Sequence, residues 1–421
     1  MKPMKRLSLL FVFALLFVVA LPALAQESIS VWIHSGQGEE REQFEALIAE
    51  YNESQDAYEA VLEVVPEGSY NDQVRAAALA GDLPCVLDFD GPFIYNYVFA
   101  GDLIPLDPFV SEELMDDVLP SIIDQGTVDD QLWSLGQFDS GIAFWGNRAL
   151  LEEAGVRIPE GINDTWTLDE LNAAFEALAE VVPEDGRVVE FFMDRTGEWY
   201  SYAFGPMLRS FGGDTIDKES FDTAEGVLNG PEAVDFGEWL QGVFEAGYAT
   251  ATPVDPSADF QNGLVALAYD GHWNYNPYSE ALGDDLVLIP MPDFGEGAVS
   301  GMGSWNWGIT STCDNQEGAW DFIEFMMQPE QVTAVTQANG APPALVSLLN
   351  EDERYAEGGD MYIYTQQLQE GVAVPRAATA AYPGIQTAMS DLIQALARGE
   401  DVQDALDKAV DTADAAIEAL E

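Results

Sequence analysis

The chain has 421 residues, 48% of them hydrophobic, and carries 75 Asp and Glu against 15 Lys and Arg, a formal net charge of −60. A surface this acidic repels nucleic acid and anionic membranes and makes both poor partners. The length is ample for two or more domains, each with its own core.

The first residues carry an address. Lys2, Lys5 and Arg6 precede an apolar run over 7–21, interrupted by Ser8, followed by Pro22 and Ala23-Leu24-Ala25. This pattern predicts a cleaved signal peptide over 1–25, with Gln26 as the mature N-terminus. The run is short for a membrane span. No cysteine follows it, so no lipid anchor is expected and the mature protein is expected to be exported and soluble. Removing 1–25 takes away three basic and no acidic groups, so 15 − 3 leaves 12 against 75, a net of −63, with Lys218 and Lys408 as the remaining lysines. Self-repulsion of that size is relieved where salt shortens the screening length to a few ångströms. A halophilic or salt-tolerant source is therefore expected.

In chain order, "ISVWIH" reads as a buried strand ending in the loop "SGQG". "EEREQFEALIAEYNES" then places Phe44, Leu47, Ile48 and Tyr51 on one helical face. "YEAVLEVVP" is a strand, "YNDQVRAAALAGDLP" a helix stopped by Gly81 and Pro84, and "CVLDFDGP" the next strand. This alternation predicts an α/β fold with a mostly parallel sheet covered by helices. A second set begins with "SGIAFWGNRALLEEAG", strand into helix. "TWTLDELNAAFEALAEVVP" follows as a helix, with a capping box from Thr167 and Glu170 and an apolar face of Leu168, Leu171, Phe175, Leu178 and Val182. "GLVALAY", "DLVLIPMP" and "WNWGITS" read as strands, "GAWDFIEFMM" as a helix, and one or two helices around Gly399 close the chain. Short gaps between elements predict domains joined by several crossings of the chain.

In open α/β sheets ligands sit beyond the carboxyl ends of the strands. The loops at those ends carry a common chemistry. The first offers Trp32, His34, Ser35 and Gln37; the second Asp88, Phe89 and Asp90; the third Gln137, Phe138 and Asp139. "EWYSYAFGPM" adds Trp199, Tyr200 and Tyr202. "DGHWNYNPY", read as a loop after its strand, adds Trp273 and Asn274, and "GMGSWNWG" adds Ser304, Trp305 and Asn306. Flat rings beside amides, hydroxyls and carboxylates suit a carbohydrate, whose C–H faces lie on rings while its hydroxyls need donors and acceptors. Core packing is the competing reading of each ring taken singly.

Catalysis finds little support. G-x-S-x-G, G-x-G-x-x-G, the P-loop and H-E-x-x-H are all missing. With two histidines, base chemistry would fall to carboxylates as in glycosidases, and 75 acidic residues make any such pair uninformative. No enzyme activity, cofactor or metal is expected. Anionic ligands want Arg forks, and the mature chain has ten arginines, of which Arg148 and Arg376 lie nearest the suspected site and hinge. Cys85 and Cys313 stand 228 positions apart with no metal-ligand spacing, and are read equally as a disulfide or as two buried thiols.

Six segments in order resemble one family: "VWIHSGQGEEREQFEALIAEYNES", "ALAGDLPCVLDFD…AGDLIPLDPFV", "LWSLGQFDSGIAFWGNRALLEEAG…TWTLDEL", "DFQNGLVALAYDGHW", "GMGSWNWGITSTCDNQEGAWDFIEFMM" and "YPGIQTAMSDLIQALARGEDVQDALDKA". Together they are similar to the family 1 extracellular solute-binding proteins, the sugar receptors of ABC importers typified by maltose-binding protein. The resemblance implies two α/β lobes, 27–139 plus 300–350 and 141–297 plus 355–421, closing on a hinge over a sugar. It implies docking on ABC permease subunits in the inner membrane, a periplasmic monomer, and ligand contacts from His34, Ser35, Gln37, Asp88, Phe89, Asp90, Tyr200, Tyr202 and Trp273, to which the reading of the loops and hinge adds Phe138, Asp139, Trp199, Asn274, Ser304, Trp305 and Arg376. Trp273 matches the family's Gly-x-Trp platform. Cys85 stands where the family usually has Asp, and a Cys85–Cys313 disulfide within the first lobe follows from where the resemblance places both strands. The family's C-terminal ligand motif is not recognisable around Tyr382 to Met389. A receptor for a cationic solute such as a polyamine is the second reading, and an exported glycan-active enzyme the third.

Overall fold

The structure, a computed structural model, describes residues 26–36 and 39–420. The expected signal peptide and Gln37 lie outside the described residues.

Among the described residues, eight strands of four or more residues form two sheets. In the first, β1 (Glu27–His34) lies between β2 (Tyr58–Val65) and β3 (Val86–Asp90), parallel to both. The second contains β4 (Ile142–Asn147), β5 (Arg187–Glu190), β6 (Val265–Gly271) and β7 (Leu286–Ile289) in the order β5-β6-β4-β7, and only β5 and β6 run parallel. A short strand β8 (Ser300–Gly301) follows, and β9 (Trp305–Ile309) returns to the first sheet, antiparallel to β3. Near the C-terminus β10 (Ala373–Val374) pairs parallel with β8. The second sheet is therefore mixed rather than parallel. Its central strand β4 enters directly from the first lobe and meets both neighbours head to tail.

Each sheet is covered by helices whose apolar stripes face it. In α1 (Glu40–Ser54) the buried side chains include Phe44, Leu47, Ile48 and Tyr51, the face its sequence spacing predicts. With the helices Gln316–Met326 and Pro329–Asn339 it covers one side of the first sheet, over Ile29, Val31 and Ile33. The other side carries Tyr70, Val74 and Phe89. In the second lobe Leu168–Ala179 starts on the expected capping box, in which the Thr167 side chain accepts from Glu170 N–H and Glu170 reaches back. There α2 (Trp199–Ser210), α3 (Tyr382–Ala397) and α4 (Val402–Glu418) pack over the second sheet around Phe204, Tyr269 and Leu392. Each such large apolar side chain, fully buried, contributes roughly 1.5–3 kcal/mol.

Because β4 to β7 belong to one sheet and β9 to the other, the chain crosses between lobes near 139–141, again near 300–303, and a third time after 345. Asp139 ties two crossings together: its carboxylate accepts from the Ser140 N–H at 2.7 Å and the Gly303 N–H at 3.1 Å. Gly303 sits at φ +102°, a conformation that glycine adopts without a steric cost. Cys85, just before β3, and Cys313, just after β9, are joined by a disulfide with Cα atoms 4.4 Å apart. No helix among the described residues is long and apolar enough to cross a membrane.

Candidate ligand-binding site

The carboxyl ends of β1, β3 and β6 and the start of β9 converge on a cavity of about 270 Å³ between the lobes. That is near the lower end of the ~300–1,000 Å³ usual for small-molecule sites.

The first-lobe wall is built on charge. His34 ends β1 and is 2% exposed, with Nδ1 2.5 Å from Asp88 Oδ2 and Nε2 3.4 Å from Glu40 Oε2. Burial pulls its pKa down, but the two carboxylates outweigh burial and hold it well above the ordinary value. The imidazolium therefore stays charged at neutral pH. It stacks on Trp305 at 3.7 Å with the rings 7° apart, so the first wall presents an indole backed by a cation. Along β3 side chains alternate. Asp88 turns to His34, Phe89 turns into the core against Tyr97, and Asp90 turns back to the cavity.

The second-lobe wall is built on rings. Trp199 and Tyr202, one helical turn apart on α2, meet Trp273 at centroid distances of 6.3 and 6.1 Å. Trp273 lies over Gly271, where any Cβ would come 2.2 Å from the indole, so only glycine lets the ring down onto the strand end. Arg195 stacks on Phe192 and Trp199, with its guanidinium carbon 4.1 and 4.3 Å from their centroids. Its nitrogens reach Asp270 Oδ1 at 2.8 Å and Oδ2 at 3.1 Å. Asp270 also accepts from Asn274, Tyr278 and the Gly271 N–H. His272, also 2% exposed, lies near the hinge with Nδ1 3.0 Å from the Asn339 carbonyl and Nε2 3.2 Å from Ser140 Oγ. Burial lowers its pKa to about 4, so it is neutral, donating from Nδ1 and accepting from Ser140.

Between the walls the lobes touch directly. Arg376 donates two hydrogen bonds of 2.5 Å to the Asp90 carboxylate and stands 3.9 Å from Glu198. Glu198 accepts from Asn71 of the first lobe at 3.0 Å and from Tyr382 at 3.1 Å. Burial, then the nearby Asp90 charge, pushes its pKa up to about 8. The Ser304 hydroxyl and Arg376 Nε, both at the cavity, are buried without a partner in the protein.

Of the residues singled out in the sequence, His34, Asp90, Phe138, Trp199, Tyr202, Trp273, Ser304, Trp305 and Arg376 line this cavity. The others stand elsewhere for identifiable reasons. Asp88 supports His34, Asp139 braces the hinge, and Phe89 is core. Ser35 accepts from the Glu67 N–H. Tyr200 points away along α2, its hydroxyl on the Met193 carbonyl, and Asn274 is spent on Asp270. The segment after β6 is not the loop its polarity suggested but a 3-10 turn, His272–Asn274, running into the helix Tyr275–Leu282. Sequence reasoning passed over Glu40, Glu67, Ser140, Asp194, Arg195, Thr196, Glu198, His272 and Asn339, which also line the cavity. For Arg195 a signal existed: Asp-Arg-Thr-Gly (194–197) comes three residues after the strand "RVVE". Among the described residues, no group of three His, Cys, Asp or Glu is arranged to hold a metal ion.

The chain is similar to several known proteins. A binding protein of Brucella abortus (strain 2308) is 22% identical over 307 residues, 67% of each chain. The cyclic α-maltosyl-1,6-maltose binding protein of Arthrobacter globiformis superposes with a TM-score of 0.73 at 23% identity, covering 94% of this chain and 100% of that one. An ABC transporter solute-binding protein of Thermotoga lettingae, solved with α-D-tagatose, gives a TM-score of 0.75 at 18% identity over 93% and 100%. At these identities the superpositions speak for the two-lobe fold. The profile of the bacterial extracellular solute-binding proteins matches residues 36–333, and the chain belongs to that family.

Proposed function

We propose that this chain is the carbohydrate receptor of an ABC importer, closing its two lobes (27–139 plus 300–350 and 141–297 plus 355–421) over a sugar and presenting it to the permease subunits. The observation that carries this reading is the composition of the interlobe cavity. Three indoles, Trp199, Trp273 and Trp305, stand among hydrogen-bonding groups, including the partnerless Ser304 hydroxyl and Arg376 Nε. Rings bind the C–H faces of a sugar, and buried unpaired donors and acceptors favour a ligand that brings hydroxyls. Similarity to a cyclic maltosyl-maltose binding protein and to a solute-binding protein solved with tagatose supports the same class. The site would contain no catalytic group of its own, and incubation with glycans would release no reducing sugar. The signal peptide over 1–25 would deliver a periplasmic monomer without a lipid anchor, in a salt-rich setting that screens the mature charge.

A thermal-shift screen of the mature protein in about molar salt tests this directly. A ligand that binds only the folded state raises the melting temperature by mass action. The expected result is a clear shift with one class of sugar. Shifts with polyamines and none with sugars would refute the carbohydrate assignment. Melting that is indifferent to ionic strength from low to molar salt would refute the salt-rich setting.

A further inference from the structure

The two lobes meet directly at the cavity. Asp90 from β3 and Arg376 from the segment after β10 form its wall there, their side chains 5% and 8% exposed. Arg376 also lines a second, much smaller cavity beside Ser201, Arg209 and Val374, so this one residue borders both. Behind the pair the cleft is filled. Phe93 of the first lobe meets Tyr382 of the second at 5.2 Å, edge to face. Asn96 Nδ2 donates to the Ala380 carbonyl at 3.0 Å, and Tyr97 holds the Asn71 that bonds Glu198. None of these backing contacts involves Glu40, His272 or Asn339, which also line the cavity. At Gly68 and Thr196, which also line the cavity, the lobes approach so closely that a Cβ on Gly68 would lie 2.8 Å from Thr196 Oγ1.

Resting on the carbohydrate reading, we infer that the Asp90–Arg376 pair, backed by Phe93, Asn71, Glu198 and Tyr382, is a length-limiting plug that restricts the receptor to a mono- or disaccharide. A ring that continued past Arg376 would have to part a desolvated, bidentate ion pair and the aromatic contact behind it. Parting one member from the other leaves a buried charge unpaired, which is among the costlier events in a protein interior. A short sugar meets no such obstacle. It meets instead Arg376 and Ser304, which line the cavity and whose Nε and Oγ are buried without a partner in the protein. The plug thus ends the binding track and offers the last hydroxyl its hydrogen bonds.

The test is titration calorimetry on the mature protein with two linear ladders, glucose to maltoheptaose and mannose to mannohexaose, preceded by a wider panel of monosaccharides and disaccharides. The expected result is binding of a one- or two-ring sugar and at least tenfold weaker binding of four-ring and longer members of any ladder that binds. The double variant Asp90→Ala/Arg376→Ala, which removes both charges together, should narrow that discrimination at least threefold. Should the double variant fail to fold, the wild-type ladder decides alone. A tetrasaccharide bound as tightly as its disaccharide overturns the plug and leaves the sugar receptor standing. Silence of the folded wild type across every sugar overturns the receptor reading, and the length limit with it.

Discussion

The chain has two histidines, one in each wall of the cavity; they are equally dry at 2% exposure, and they carry opposite charge states. His34 lies between Asp88 and Glu40 and is held protonated; His272 lies between a backbone carbonyl and a serine hydroxyl and is held neutral. Burial alone lowers both pKa values, so the partners decide the outcome. The walls differ accordingly. The first lobe offers an indole backed by an ion network. The second offers packed rings, with its arginine neutralised by Asp270 and sandwiched between aromatics. Each wall brings flat apolar surface to the cavity by a different device.

The largest effect should come from stripping His34 of its nearer counter-charge. Asp88→Ala leaves the imidazolium with Glu40 alone in a dry site and should cost about 3 kcal/mol of unfolding free energy. Urea denaturation reads that loss; an effect below about 1 kcal/mol would mean that the network carries little. His34→Gln in the same background should recover part of it, since no buried charge is then left over.

The pH dependence of stability sharpens the contrast, because the two histidines act with opposite sign. For His272 the folded-state pKa, about 4, lies below the ordinary 6.5. Its contribution is complete above ~6.5 and is lost as pH falls toward 4, about 3 kcal/mol in all. For His34 the folded value is raised, so its contribution is complete below ~6.5 and fades only as pH rises through the folded pKa. Glu198, raised to about 8, stabilises below ~4.5 and loses that contribution as pH climbs to 8, against the slope of His272. Unfolding curves from pH 4 to 9 on His272→Gln and Glu198→Gln should therefore differ from the wild type in opposite directions. Parallel curves would contradict both assignments.

Smaller effects separate residues that touch the cavity from those that only resemble site residues in the sequence. Trp273→Ala removes a platform ring and should weaken sugar binding by about 2 kcal/mol, some 30-fold, measured by calorimetry. Tyr200→Phe removes a hydroxyl that bonds the Met193 carbonyl away from the cavity. It should cost about 1 kcal/mol of stability and leave affinity unchanged.

Those two residues also show what the sequence made legible. Strand ends were readable from periodicity, and ligand groups gather at strand ends, so His34, Asp90, Trp273 and Trp305 could be named from position alone. Direction was harder. Asp88, Phe89 and Asp90 look equally available in a row, but alternation along β3 sends the middle one into the core. Around Tyr200 the helical period does the same, since α2 turns Trp199 and Tyr202 to the cavity and Tyr200 away. Glu40 and Asn339 were illegible for a different reason. Their place depends on how helix ends from separate parts of the chain meet across the hinge, which no local pattern encodes. Glu198 and Asp194 were hidden among the acidic residues, where composition drowns the signal of any single carboxylate.

The central claim, that the interlobe cavity receives a sugar between two aromatic walls, is tested most directly by tryptophan fluorescence. Trp199, Trp273 and Trp305 all line the cavity, so a sugar seated there must alter their emission. We expect a saturable change when the mature protein is titrated with its sugar, reduced in Trp273→Ala and Trp305→Ala and unaltered in form by Tyr200→Phe. A sugar that binds by calorimetry yet leaves the emission of the wild type untouched would place the ligand elsewhere and contradict the account.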